Sequence, residues 1–183
     1  MQFSSSSTAL ILIDLQEGIA TGDKGPYSPE QIVATNKALA ERFRQAGAPV
    51  VLIKVGFNRF EAPSLKATAP NLPPQTPEGF DTLVPGLEQE GDIVIKKHHW
   101  GAFIGTDLDL QLRRRGVDTI VIGGIATNFG VESTARTGWE LSYNVVIPED
   151  ACTSRSAELH QFSIDNILKQ LAVVTSADEI ELA

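Results

Sequence analysis

Cysteine is almost missing from this chain: 183 residues contain one, Cys152, so no internal disulfide framework is available. A reducing, cytoplasmic setting is the resulting expectation. Positive charge is also scarce. Fifteen Lys and Arg stand against twenty-three Asp and Glu, a net charge of −8, which disfavours nucleic acid or an anionic membrane as a partner. The nearest thing to a basic patch, Arg113-Arg114-Arg115, falls where a helix should end, and cations suit the dipole there. Long apolar runs are absent too. ALILI near the N-terminus is too short to span a membrane, and no basic segment precedes it as in a signal peptide. Histidine is limited to three residues. His98 and His99 are adjacent and would point to opposite sides of an extended chain, a poor chelate. No metal and no cofactor are expected.

What is present suits one globular domain over residues 1–183, with 42% hydrophobic and 21% charged residues. TALILID (8–14) is a short apolar run ending in an acid, the pattern of a strand buried on both faces. Ser28-Pro29-Glu30-Gln31 then reads as a capping box with proline at the first helical position. The helix should run to Gln45 and stop at Gly47. PVVLIKV (49–55), DIVIKK (92–97), DTIVIGG (118–124), NVVIPED (144–150) and AVVTS (172–176) read as five further strands. Thr106 is the expected cap of a second helix ending at Gly116. A third helix is expected over 130–142, and a fourth opens at Ser156 and runs to about Leu171. Strands alternating with helices, without tight hairpins, predict an α/β fold: a three-layer α/β/α domain with an open, mainly parallel six-stranded sheet. Six of the ten prolines (Pro63, Pro70, Pro73, Pro74, Pro77, Pro85) gather in the unpatterned segment 56–91. Such a loop reads either as a lid or binding element or as a plain surface excursion.

In an open parallel sheet, chemistry sits beyond the carboxyl ends of the strands. Those ends offer Asp14, Lys97 (with Lys96 equally placed by periodicity), the turn 124–130, and Glu149-Asp150 before Cys152. An acid directly after a buried strand costs desolvation unless compensated, which singles out Asp14, although it also suits a simple turn. Cys152 follows two acids, which disfavour a thiolate, so it reads as a small buried residue and not as a nucleophile.

Three motifs in order, I-D-x-Q, K-x-x-W-G-A-F and G-I-A-T-N-x-G-V-E-S-T-A, resemble those of the isochorismatase-like hydrolases. This cysteine hydrolase superfamily includes nicotinamidases and N-carbamoyl amidases. The resemblance covers nearly the whole chain and is weakest in the proline-rich segment. It implies a catalytic aspartate at Asp14 and a catalytic lysine at Lys97, and it places the family's nucleophilic cysteine on Gly130. Gly101 stands where a serine is usual, and the aspartate-x-histidine metal motif of nicotinamidases is not visible. The resemblance also implies a non-proline cis peptide between Ile125 and Ala126. Substrate contacts are implied for Gln16, Trp100, Phe103, Ile125, Ala126, Asn128 and Phe129, with core packing the alternative for Trp100 and Phe103. A homo-oligomer, dimer or larger, is implied as well.

Glycine at the nucleophile position changes the chemistry expected. Amide hydrolysis in the family needs an activated thiolate. A vinyl ether needs proton donation to a double-bond carbon, followed by water adding to the oxocarbenium ion. A carboxylic acid kept protonated near neutral pH can do this, and burial of Asp14 would raise its pKa accordingly. Isochorismatases proper also carry a residue other than cysteine there. The leading reading is therefore a thiol-free hydrolase of a small anionic enol-ether-type substrate, with Asp14 as general acid and Lys97 as its electrostatic partner. Lys97 either binds the substrate's carboxylate or organises the acid. Two other readings stay open: a C–N hydrolase using Asp14-activated water, and a non-catalytic binding or assembly protein.

Overall fold

The computed structural model describes residues 1–57 and 75–183. In chain order the strands are β1 (Gln2–Phe3), β2 (Thr8–Ile13), β3 (Val50–Val55), β4 (Ile93–Lys97), β5 (Thr119–Ile125), β6 (Asn144–Pro148), β7 (Cys152–Thr153), β8 (Val173–Thr175) and β9 (Glu181–Leu182). The helices are α1 (Pro29–Gln45), α2 (Leu108–Arg114), α3 (Glu132–Glu140), α4 (Ala157–Ser163) and α5 (Lys169–Leu171). A π-helical turn, Thr127–Val131, leads into α3, and a second, Ile164–Leu168, joins α4 to α5.

Local chemistry accounts for α1. The Ser28 hydroxyl accepts from the Gln31 amide at 3.3 Å, and the Gln31 side chain accepts from the Ser28 amide at 2.9 Å. The helix ends after Gln45, and Gly47 supplies the left-handed φ of 71°. Ser156 likewise caps α4 by accepting from Leu159 N. The second helix departs from expectation. Thr106 donates its hydroxyl to Ala102 O at 2.5 Å while accepting from Leu108 N at 3.3 Å, and α2 begins only at Leu108.

The main sheet runs β4-β3-β2-β5-β6-β8, every pair parallel, with β1 and β9 forming a separate two-stranded piece. Its strands number seven, not the six read from the sequence. Beyond Pro148 the chain makes one 3₁₀ turn, and Cys152–Thr153 then comes back beside Gly124–Ile125 as β7. Alternation sorts the core into two layers. Ala9, Ile11 and Ile13 pack with Leu108, Leu112, Ala135, Ile164 and Leu168 on one face. Leu10 and Leu12 pack with Ile32, Leu39 and Phe43 of α1 on the other. This is the three-layer α/β/α arrangement. No helix among the described residues is long and apolar enough to cross a membrane.

Two features aim the fold at one place. The sheet's connections run outward from β2 in one direction and from β5 in the other, so the crevice beyond Ile13 and Gly124 is a topological switch point. The two strands also approach closely there. A side chain on Gly124, whose φ is 120°, would put its first carbon 2.1 Å from Ile13 O, so only glycine fits. Of the proline-rich segment, Pro63, Pro70, Pro73 and Pro74 lie outside the described residues. Its later part folds back on the loop after β2. Glu17 N donates to Thr82 O at 2.8 Å, and Gly18 N to Phe80 O at 3.0 Å.

Candidate active site

Asp14 is the first residue past β2 and holds a left-handed φ of 53° with its amide bonded to Ile53 O at 2.9 Å. Its carboxyl is buried. Oδ2 lies 2.9 Å from Lys97 Nζ, while Oδ1 has no hydrogen-bond partner among the described residues. Burial pushes the Asp14 pKa up to about 6, against the opposing pull of the Lys97 charge and hydrogen bond. A carboxyl in that range exists in both protonation states near neutral pH and can give or take a proton.

Lys97 closes β4 with only 1% of its surface exposed. Its ammonium donates to Asp14 and, at 2.5 Å, to Trp100 O. Lys96 points to the other face and pairs with Asp81 at 2.8 Å. Strand alternation thus separates two lysines that periodicity alone left equivalent.

Gly130 completes the convergence. A side chain there would place its first carbon 3.0 Å from Lys97 Nζ, 3.3 Å from Asp14 Oδ2 and 2.8 Å from Ile13 Cγ2. The residue that lacks a side chain therefore faces both charged groups. Thr134, one helical turn on, locks the arrangement: its hydroxyl donates to Gly130 O at 2.7 Å and accepts from Ala102 N at 3.0 Å. Sequence reading passed over Thr134, although a threonine four residues after a helix-start glycine is a back-bonding signal. The Ile125–Ala126 peptide is cis.

The implied substrate contacts divide. Trp100 is 63% exposed, and its ring meets Phe129 edge-on with centroids 4.7 Å apart. Phe129 and Ala126 are half-buried, and Asn128 accepts a hydrogen bond from Ser154 Oγ. Three residues face elsewhere. Gln16 is fully buried: its Nε2 donates to Val55 O at 3.0 Å and Phe80 O at 2.9 Å, and its Oε1 accepts from Val55 N at 2.7 Å. Phe103 stacks on Tyr143 in the core, and the Ile125 side chain packs into the layer beneath α1. Cys152 is buried with its thiol toward Ile122 O at 3.7 Å, and burial pushes its pKa far up. Two residues unforeseen in the sequence join the surroundings. His160 Nδ1 shares a 2.8 Å hydrogen bond with Thr127 Oγ1, and the Arg155 guanidinium lies over the Phe129 ring at 5.4 Å. Their partners are 33 and 26 positions away, so no local pattern marks them. No group of three His, Cys, Asp or Glu side chains able to hold a metal gathers among the described residues.

The isochorismatase domain model matches residues 8–179. An uncharacterized isochorismatase family protein of Escherichia coli O157:H7, YecD, is 48% identical over 98% of this chain and 97% of its own. The ureidoacrylate amidohydrolase RutB of Stutzerimonas stutzeri is 30% identical over 97% and 83%. Among solved structures, an isochorismatase family protein from Burkholderia thailandensis superposes with a TM-score of 0.91 at 40% identity, covering 96% of this chain and 94% of that one. A carboxyl–ammonium pair facing an apical glycine, on this fold and with these relatives, places the chain in the isochorismatase family of hydrolases.

Proposed function

We propose that the chain hydrolyses a small anionic substrate of the enol-ether type by proton donation from Asp14, without covalent attack. The observation that carries this reading is the Asp14–Lys97 pair at 2.9 Å facing a glycine that offers no nucleophile. Lys97 holds Oδ2, and Oδ1 is buried without a hydrogen-bond partner among the described residues, so in this reading the proton sits on Oδ1. The proton passes from the Asp14 carboxyl to the terminal carbon of the vinyl ether, and the ether oxygen stabilises the resulting cation. Water adds to that cation and returns a proton to the Asp14 carboxylate. That proton restores the acid, and the hemiketal then collapses to a carbonyl compound and an alcohol as its hydroxyl proton passes to the departing oxygen. Lys97 stabilises the carboxylate during the interval in which it carries charge. Trp100, Ala126, Asn128 and Phe129 surround the ligand in this reading.

A second reading keeps C–N hydrolysis, with the Asp14 carboxylate activating water where relatives use a thiol. Its support is the likeness to RutB, named as a ureidoacrylate amidohydrolase. The pH dependence of kcat/KM separates the two. Acid catalysis holds its rate below the Asp14 pKa of about 6 and loses it as pH rises through that value. General-base catalysis shows the opposite limb. Isochorismate, simpler enol ethers and ureido acids form the substrate panel, with Asp14→Asn as the control. An ether-cleaving activity that falls with rising pH and vanishes in Asp14→Asn supports the proposal. A rising limb transfers the assignment to C–N hydrolysis, and no turnover across the panel assigns a binding role.

A further inference from the structure

The Lys97 ammonium is held by two acceptors, Asp14 Oδ2 and Trp100 O. The second is a backbone carbonyl on a loop, and the Trp100 side chain does little to fix it, because the indole is 63% exposed. The backbone on either side must place that carbonyl. Before it, His98 Nδ1 shares a 2.8 Å hydrogen bond with Gly56 O. After it comes Ala102, fully buried, whose carbonyl accepts from the Thr106 hydroxyl and whose amide donates to Thr134 Oγ1 at 3.0 Å. The Thr106 bond is local, whereas the Thr134 bond crosses 32 positions and ties the loop to α3. Gly101 lies against the same helix: a side chain there would put its first carbon 3.5 Å from Ser133 O.

Thr134 holds the opposite wall with the same oxygen. Its hydroxyl donates to Gly130 O at 2.7 Å, and the residue has no exposed surface. One donor and one acceptor are therefore used at once, on the loop that anchors Lys97 and on the turn that carries Gly130. Valine matches the shape but offers neither function, alanine offers neither, and serine offers both.

We propose that Thr134 is a positioning residue for the reacting pair: its hydroxyl sets the Trp100 carbonyl, and that carbonyl keeps the Lys97 ammonium against Asp14. The proposal rests on the functional reading above only in treating Asp14 as the reacting acid.

The consequence follows from the freedom of a long side chain. With Trp100 O displaced, Lys97 recovers rotamers that take its charge away from the carboxyl. Lys97 is the charged group acting on Asp14 among the described residues, and its pull opposes burial. Loosening it moves the Asp14 titration upward, in the direction expected for Lys97→Met but by less.

NMR titration of the Asp14 carboxyl carbon reads this without any substrate. Wild type is compared with Thr134→Val, Thr134→Ala and Thr134→Ser. Leu39→Ala, a buried change in the layer beneath α1, controls for lost stability, and the urea midpoint is measured for every protein. The valine and alanine forms should raise the Asp14 midpoint by about 0.5 pH unit or more, while the serine form stays within about 0.2 of wild type. Leu39→Ala should lower the urea midpoint and leave the titration in place. An unmoved titration in the hydroxyl-free forms overturns the proposal and leaves Thr134 a packing role. A downward shift, a shifted serine form, or an equal shift in Leu39→Ala overturns it as well. The alanine form decides the question where the valine form does not fold. Failure of the hydrolytic reading shows separately, in the pH–rate profile, and leaves this titration untouched.

Discussion

Asp14 Oδ2 and Lys97 Nζ lie 2.9 Å apart in a buried pair that opposes two effects on one carboxyl. Burial raises its pKa, and the cation lowers it. Burial wins, which keeps a proton available near neutrality and makes Lys97 the brake on that shift.

Removing the brake is the first prediction. In Lys97→Met the two causes that lower the Asp14 pKa vanish while desolvation remains, so the pKa rises above about 6. The carboxyl carbon of Asp14, followed by NMR, titrates at higher pH than in wild type. A titration moving to lower pH contradicts the balance described here. Folded-state stability responds with a definite sign. An acid whose folded pKa exceeds its unfolded value loses stability as pH rises between the two, and this window widens upward in the variant.

Gly130 gives a steric prediction. The first carbon of an alanine at 130 would sit 2.8 Å from Cγ2 of Ile13, a fully buried core residue. Gly130→Ala should destabilise by about 1–3 kcal/mol through overpacking. Ile13→Ala removes the clashing methyl, so the double variant is less destabilised than the sum of the singles. Urea unfolding of the four proteins measures the coupling, expected at about 0.5–3 kcal/mol. Strict additivity would mean that the backbone at 130 moves aside at no cost.

Legibility in the sequence followed the range of the interaction. The capping box at Ser28 and Gln31, the stop at Gly47 and the cap at Ser156 are local, and all appear where sequence placed them. The parallel sheet was legible because strands buried on both faces are apolar throughout. The two-residue β7 is too short to leave a periodic trace. Asp14, Lys97 and Gly130 were found by their places at strand ends and in motifs, and the fold brings them together. Motif membership did not reveal which way a side chain turns. Gln16 belongs to a motif yet faces the backbone of Val55 and Phe80. Arg155 and the His160–Thr127 pair depend on contacts that only the folded chain creates.

That orientation of Gln16 separates a scaffold role from a substrate-binding one. Gln16→Ala removes all three side-chain hydrogen bonds and strips partners from Val55 N, Val55 O and Phe80 O. The expected loss of stability is about 2–5 kcal/mol, read as a lower urea midpoint. Gln16→Glu can still accept from Val55 N but cannot donate to either carbonyl, so it too is destabilised. A substrate contact would behave differently, raising KM with the midpoint unchanged.

Cys152 provides the last test, because a lone cysteine near an active site invites assignment as a nucleophile. Here its thiol has no exposed surface, points toward Ile122 O at 3.7 Å, and has a pKa pushed far up by burial with Asp150 and Glu149 adding to the rise. A thiol in that state is neither accessible nor ionised at neutral pH. The native protein should therefore resist Ellman's reagent, and one thiol per chain should appear on unfolding in urea. Cys152→Ala should leave kcat within about twofold of wild type, since no step passes through sulfur. Loss of a small buried atom should lower stability by about 1–2 kcal/mol. Rapid labelling of the native protein, with activity falling in step, would return the nucleophile to sulfur and remove the reason for reading Gly130 as the mark of a thiol-free site.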